Sequence, residues 1–408
     1  PLMSGTFNVP LYGMTRWGDM FTRRQAASLI VLCRLIASGR FAATTRVLGC
    51  VLGRCADYWS SGVVWAQGGE FVAHTFGRQA LPMIFDFAEA VPFTDSSGNL
   101  AGAIEWVAAV IDEFSVIGLQ GQVQSADACD SPMPDESSSV YFTDPPYYFA
   151  VPYADLSDFF FVWLKRAYPA DTAFRDPADP SNPLTPKKLE LCEMKRWDPV
   201  RYPNKDQAFF EQGMHRAFAE GRRILKEDGI AAVVFAHKTT EGWEALLSGM
   251  MRGGWTITAS WPIATERPGR LRAQESAALA TSVHLVCRPR PDSAPVGDWA
   301  DVLRELPKRV GDWMERLQEE GVRGADLVFA CIGPALEIFS RYVRVETAEG
   351  REVALAEYLE KVWEVVGRSA LAQVLGTAEA KARNGAAGAV EEDARLTALF
   401  LWTLQATA

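Results

Sequence analysis

The spacing of hydrophobic residues along the chain predicts three regions of different secondary structure. Apolar residues recur every three or four positions in Arg24–Arg40 and Ala101–Phe114, which predicts helices and a mainly helical region over residues 1–120. In residues 121–290, short apolar runs alternate with helical stretches, which predicts a sheet with helices. Residues 291–408 return to helical spacing and predict a helical C-terminal region.

The central region predicts a succession of strands and helices. Gly121–Asp127 and Val140–Phe142 are short strand-like runs, and Asp155–Arg166 and Asp206–Lys226 have helical stripes. Gly229–His237 follows as a run that is apolar on both faces, as expected for a strand of a parallel sheet. The predicted elements after it are a helix over Trp243–Met251 and strands over Trp255–Ile263 and Ser282–Cys287. The predicted fold class is therefore α/β.

Two consecutive prolines follow the second of these strands directly. The run Val140–Tyr148 reads VYFTDPPYY. Proline fixes φ and has no backbone N–H, so Pro145 and Pro146 end the strand and predict a rigid loop at its carboxyl end. Open α/β sheets bind their ligands at this end of the strands.

This loop offers three groups that suit a planar nucleobase: the Asp144 carboxylate, the Pro145 carbonyl and the Tyr147 ring. An exocyclic amino group is a poor nucleophile because its lone pair is delocalised into the ring. Accepting both of its N–H bonds localises that lone pair, so that the nitrogen can attack a methyl sulfonium in line. Stacking on an aromatic side chain contributes about 1–3 kcal/mol per base, and a base in a duplex must first be flipped out.

The tetrapeptide Asp144-Pro145-Pro146-Tyr147 after a hydrophobic strand resembles the catalytic motif of S-adenosylmethionine-dependent amino-methyltransferases, chiefly the N6-adenine DNA methylases. The longer run Thr143–Arg166 is similar to the large adenine-specific DNA methylases whose N-terminal part carries a domain of unknown function and a zinc-ribbon-like element. Further runs that fit this family are His74–Phe93, Arg222–Lys238, Ala259–Arg267 and Ala325–Tyr342.

The resemblance implies a fold, a cofactor and a site. The fold is a Rossmann-like methyltransferase sheet with helical N- and C-terminal additions, and the cofactor is S-adenosylmethionine. The family's cofactor loop, an Asp-Pro-Phe and glycine-rich turn, lies upstream of the matching region and is not found in this sequence. We therefore expect the first strands of the sheet to belong to an upstream N-terminal half. In a circularly permuted arrangement that loop would be Leu327–Ile338, but its single glycine, Gly333, disfavours this.

Further site residues are implied by position. An acid one strand before the catalytic loop resembles the group that accepts the amino group of the cofactor's adenine, which makes Asp127 the first candidate and Asp130 the second. Either residue also suits a helix N-cap. Tyr148 and Tyr153 are candidates for walls of the base pocket.

Candidate phosphate contacts lie downstream of the loop. Arg267 and Arg270 belong to a predicted loop between two strands, and Lys238 follows a strand. Contact with phosphate oxygens and ordinary exposure to solvent are equally good interpretations of all three side chains. Residues 168–206 contain seven prolines, which predicts an irregular segment and, in our interpretation, a substrate-contacting lid.

Composition and charge bound the class of protein. Hydrophobic residues make up 48% and charged residues 23% of the 408, typical of globular proteins, with no membrane-spanning run and no signal pattern. Seven scattered cysteines indicate reduced thiols and a cytoplasmic location, and no metal site is expected. The net charge is −10, yet residues 160–290 carry 20 Lys and Arg against 15 Asp and Glu. This is the only basic third, and it follows the loop where a polyanion would lie.

The leading hypothesis is methyl transfer to N6 of adenine in DNA, with N4 of cytosine and structured RNA left open because the chemistry is the same. The alternative is a nucleic-acid-binding or assembly subunit that keeps the base pocket without turnover. A weaker possibility is methylation of a protein amide, whose similar loops usually begin with Asn where this chain has Asp144.

Overall fold

The computed structural model divides the chain into two compact units. Unit 1 comprises Pro1–Ser125 and Tyr148–Phe209, and unit 2 comprises Ala126–Tyr147 and Phe210–Ala408. The described residues are 6–40, 44–114, 121–124, 126–149, 151–176, 179–235, 240–263, 282–322, 327 and 330–375. Each unit is thus assembled from two separate stretches of chain.

The helices and strands follow the chain in this order. The α-helices are α1 (Arg23–Ala37), α2 (Thr45–Tyr58), α3 (Leu100–Phe114), α4 (Tyr153–Ala167), α5 (Gln207–Ile224), α6 (Thr240–Arg252), α7 (Trp299–Glu319), α8 (Ile332–Ser340) and α9 (Leu355–Leu375). The strands are β1 (Trp65–Ala66), β2 (Phe71–Val72), β3 (Ser138–Thr143), β4 (Leu225–Phe235), β5 (Trp255–Ile263), β6 (Ser282–Pro289), β7 (Gly297–Asp298) and β8 (Val345–Glu346).

Unit 1 is a helical layer whose core is aromatic. The apolar stripe of α4 buries Phe159 and Trp163 against α1 and α2. The Phe21 ring stacks on Phe159 at 5.3 Å between centroids and meets Trp163 edge-to-face at 5.0 Å. Because these rings interlock at angles that aromatic pairs prefer, they fix how α4 packs in the layer.

Unit 2 contains a mixed sheet of four strands in the order β3-β4-β6-β5. The strands β3 and β4 run parallel, with Thr143 opposite Val233, whereas β6 is antiparallel to both of its neighbours. The predicted α/β class is confirmed at this level. On β3, which has a paired neighbour on one side only among the described strands, Val140 and Phe142 are 57% and 63% exposed.

Two glycines let helices approach this sheet closely. In α5, a Cβ added at Gly221 would lie 2.5 Å from the ring of Tyr141, which stacks on Trp255 at 5.7 Å. In α8, a Cβ at Gly333 would lie 2.5 Å from Oγ of Ser260 on β5. Helix α5 therefore contacts the strand that precedes the proline loop.

Several predicted elements differ from those observed. The strand expected over Gly121–Asp127 is wrong: residues 121–124 are exposed and irregular, and Asp127 forms only an isolated bridge with Asp130. The helix expected to run to Lys226 ends at Ile224, because Leu225 already pairs with Ser138 in the sheet. The strands predicted for β5 and β6 are present.

Two further properties concern the described part of the chain. Every helix in it is too short or too polar to cross a lipid bilayer. All seven cysteines are free thiols, and burial raises the pKa of Cys33 to about 11 and that of Cys55 to about 12.

Replacing Gly221 with alanine should destabilise the protein by about 1–3 kcal/mol, because the new methyl group overlaps the Tyr141 ring and displaces it or the helix. Helix propensity alone predicts the opposite sign. The matched control is Gly311→Ala in α7, where nothing lies within 4 Å and alanine should stabilise by about 0.5–1 kcal/mol. Denaturant unfolding measures both, and equal effects would show that the close approach is unimportant.

Candidate functional site

The proline loop extends from the carboxyl end of β3. Thr143 is the last residue of the strand, and Asp144 follows it at the surface. Since β3 is parallel to β4, both strands end on the same side of the sheet, where β4 ends at Phe235. Proline at two successive positions makes this turn rigid.

The tyrosine of the loop is held by aromatic side chains from the neighbouring strand and helix. Tyr147 is half-buried, and its ring meets the ring of Phe235 edge-to-face, with 5.5 Å between centroids and 82° between planes. Phe235 in turn meets Trp243 of α6 at 5.1 Å and 87°. This series fixes the Tyr147 ring beside the end of the sheet. Neither Phe235 nor Trp243 is among the site residues predicted from the sequence, although an aromatic residue at the end of a buried strand is a signal that points to Phe235.

Asp144 is exposed and forms no hydrogen bond or ion pair with another residue of the described ranges. Pro145, by contrast, is buried, and its carbonyl accepts no hydrogen bond from those residues either. One rigid loop therefore carries a solvent-facing carboxylate, an unused backbone carbonyl and a braced aromatic ring. Such a set can accept two N–H bonds and stack on a planar group.

The chain enters unit 1 at Tyr148, in an unusual backbone conformation. Tyr148 has φ of 52° and is 2% exposed, and a bulky residue in the left-handed region carries strain of about 1–3 kcal/mol. Its carbonyl accepts a hydrogen bond from the Glu193 backbone N–H at 3.2 Å. The next carbonyl, of Phe149, accepts one from Nε1 of Trp197 at 3.2 Å. These bonds hold the strained residue in place within unit 1.

The described residues of the proline-rich segment 168–206 are irregular apart from a short 3-10 turn, as the composition predicts. The segment is nevertheless tied to α4. Nζ of Lys187 lies 2.9 Å from the Asp158 carboxylate. The Tyr202 hydroxyl donates to Asp155 at 2.6 Å. The segment is thus anchored along its length, while its role as a lid stays a prediction.

The segment also supplies the cap of α4. The helix predicted over Asp155–Arg166 starts two residues earlier, at Tyr153, and the Ala154 N–H in its first turn donates to the Glu190 carboxylate at 2.7 Å. Burial raises the pKa of Glu190 and lowers the pKa of Lys205, whose Nζ lies 3.6 Å from the Glu190 carboxylate. This pair is enclosed, since Lys205 is 4% exposed.

The other predicted site residues lie in different places. Tyr153 is the first residue of α4 and packs, partly buried, on the small cluster of Cys192, Met194 and Tyr202 in unit 1. Like Tyr148, it belongs to a different unit from Asp144, Pro145, Pro146 and Tyr147. Lys238, Arg267 and Arg270 lie outside the described residues.

The candidate for the cofactor's adenine, Asp127, is exposed in unit 2. One oxygen of its carboxylate accepts the Cys129 N–H at 2.9 Å, and its carbonyl accepts the Asp130 N–H at 3.0 Å. This is an Asx turn rather than a helix N-cap. No group of three or more His, Cys, Asp or Glu side chains that suits a metal ion occurs in the described ranges.

A comparison with models of protein families, a search of curated proteins and a search of solved structures each returned no match.

Trp197→Phe should lower the free energy of unfolding by about 1 kcal/mol, because it removes the indole N–H that donates to Phe149 while keeping an aromatic ring. Hydrogen exchange should become faster in the peptide that contains Tyr148 and Phe149. The control is Trp106→Phe in the same unit, whose side chain is 62% exposed. An unchanged exchange rate in the Trp197 variant would show that the hydrogen bond from Trp197 to the Phe149 carbonyl does not stabilise this backbone segment.

Proposed function

We propose that this chain provides the base-binding part of an S-adenosylmethionine-dependent N6-adenine DNA methyltransferase. The observation that carries the proposal is the loop at the carboxyl end of β3, on which Asp144 faces solvent and Tyr147 is braced by Phe235. The same three groups are what the resemblance to amino-methyltransferases requires. They also stand where α/β sheets bind ligands.

Each group of the loop has a defined task in this proposal. The Asp144 carboxylate and the Pro145 carbonyl accept the two N–H bonds of the adenine amino group, which localises the lone pair on nitrogen. The Tyr147 ring stacks on the base and holds it in that position. S-adenosylmethionine supplies the methyl group in the family that the chain resembles. The protein contributes positioning and preorganised hydrogen-bond acceptors, so no covalent nucleophile of the chain is needed.

The described residues do not form a complete cofactor site. Gly333, which a permuted cofactor loop would use, lies inside α8, where its N–H donates to Ser260 and its missing side chain permits close packing on β5. Asp127 contributes one carboxylate in a surface turn. We therefore assign only the contacts to the base and its amino group to this chain. The contacts to the cofactor we assign to the expected upstream half.

The sheet supports a Rossmann-like assignment in two ways. The parallel pair β3 and β4, with β5 and β6 joined to it, contains the strands that the resemblance expects in the carboxyl half of such a sheet. The outer edge of β3 has no partner among the described strands, and Val140 and Phe142 on one face of this strand are exposed, which suits a sheet that continues with further strands and is covered on that face.

The second candidate function is a nucleic-acid-binding or assembly subunit that does not transfer methyl groups. It is favoured by the absence of a glycine-rich strand-to-helix loop in the described residues. The two candidates differ in cofactor binding. Calorimetric titration with S-adenosylmethionine, of this chain and of the longer protein that we expect it to belong to, separates them. Binding of S-adenosylmethionine by the longer protein favours the methyltransferase. If neither protein binds it, the non-catalytic subunit is favoured.

Asp144→Asn should reduce methyl transfer to adenine by about 10²–10³, because the amide replaces a charged acceptor with a weaker one that also presents N–H donors to the amino group. Transfer of a labelled methyl group to an adenine-containing duplex by the longer protein measures this effect. The matched control is Glu227→Gln, an exposed acid at the opposite end of β4, which should leave the rate unchanged. Equal rates for wild type and Asp144→Asn would exclude the proposed role.

Tyr147→Ala should weaken binding of a DNA with an unpaired target adenine by about 5-fold to 150-fold, the equivalent of about 1–3 kcal/mol of stacking. Tyr147→Phe should bind nearly as well as wild type because the ring is retained. Fluorescence anisotropy with labelled DNA compares the three proteins. A large loss with phenylalanine would mean that the hydroxyl, rather than stacking, makes the contact.

A further inference from the structure

Unit 1 contains a cavity of about 600 Å³ that the proposed methyl transfer does not use. Its size lies within the range of small-molecule sites. One part of its lining is apolar and includes Phe7, Met14, Trp17 and Leu184. The remainder is polar and charged, so the cavity suits a molecule that has both an aromatic or apolar body and an ionic group.

The apolar part has a rigid aromatic surface. The half-buried Trp17 ring is held edge-to-face by Phe7 and by Phe159, with centroids 6.2 Å apart in each pair. Because two core rings fix the indole, it loses little conformational entropy when a flat molecule packs on it. A planar base is a suitable partner for such a surface.

The carboxylates in the cavity wall have hydrogen-bond partners within unit 1. Asp158 accepts hydrogen bonds from the Thr185 hydroxyl at 2.6 Å and from Nζ of Lys187 at 3.0 Å. Asp155 accepts one from the Tyr202 hydroxyl at 2.6 Å. Asp198, the third carboxylate of the wall, accepts the backbone N–H of Arg201 at 2.9 Å. A cationic ligand would therefore compete with existing bonds.

Two guanidinium groups line the same cavity. Arg201 lies 3.7 Å from Asp155 and 4.0 Å from Asp198, distances of ion pairs that are longer than hydrogen bonds. Arg16 is exposed, and its side chain forms no ion pair with a residue of the described ranges. Both side chains thus have N–H donors available in the planar arrangement that phosphate oxygens accept.

We propose that this cavity binds a nucleoside monophosphate unit, with the base on Trp17 and the phosphate at Arg16 and Arg201. The chemistry is the same whether the unit is a free nucleotide or an unpaired nucleotide of a single strand. A purely apolar ligand would not use the arginines. This inference does not depend on methyl transfer, and the experiment that tests it does not measure that activity.

Calorimetric titration of the whole chain with adenosine monophosphate, adenosine and inorganic phosphate tests the inference. The monophosphate should bind at least about tenfold more tightly than adenosine, and its affinity should fall as salt rises. Arg16→Ala should weaken monophosphate binding by about tenfold to a hundredfold and leave adenosine binding unchanged. Thr15→Glu, at an exposed position that lines the cavity, should weaken monophosphate binding similarly because its carboxylate repels phosphate.

The control is Arg34→Ala, an exposed arginine of α1 that does not line the cavity and whose loss should leave binding unchanged. Thermal unfolding of every variant identifies any that is misfolded. Absence of monophosphate binding, equal affinity for adenosine, or an unaltered Arg16→Ala variant would each overturn the proposal. A short single-stranded oligonucleotide then distinguishes the sources: competition with the monophosphate supports a strand as the ligand, and no competition supports the free nucleotide.

Discussion

The parallel pairing of β3 with β4 is the constraint on which the candidate site depends. It places the end of β3, from which the proline loop extends, beside Phe235 at the end of β4. Without that register, Tyr147 would lose the ring that braces it, and the loop would still be rigid but would face no aromatic support. The close contact of α5 through Gly221 secures the same strand from one face of the sheet. Site geometry therefore follows from backbone pairing more than from any single polar contact.

Much of the fold could be predicted from hydrophobic spacing. The strand over Trp255–Ile263 and the helix beginning near Asp206 were clear because their apolar patterns match one period only. The strand predicted over Gly121–Asp127 failed because a short alternating run forms a strand only where a neighbour pairs with it. The early start of β4 at Leu225 escaped prediction for a related reason: its partner, Ser138, lies far away in sequence.

The motif of the candidate site could be predicted from the sequence, but the contacts between residues that are distant along the chain could not. Two prolines after a strand are a local signal, and they correctly indicated that the strand ends here and that a loop follows it. The contacts of α4 with the proline-rich segment are not local. Asp155, which suits a helix cap by its position, is instead buried against the hydroxyl of Tyr202, and Glu190 provides the cap. Each partner is more than 30 residues away along the chain, so propensity at either position contains no information about the pair.

The division of each unit into two stretches has a consequence for how the protein is made. During synthesis β3 emerges long before β4, its only described neighbour, and the second stretch of unit 1 is translated between them. The partner of Val140 is Ile230, so closing this pair must wait for about ninety further residues at roughly 5–20 residues per second. In that interval the backbone N–H and C=O groups of β3 lack the strand with which they pair in the folded protein, and the segment carries the apolar residues Val140 and Phe142. The nascent chain is thus prone to aggregation at the segment that precedes its candidate catalytic loop.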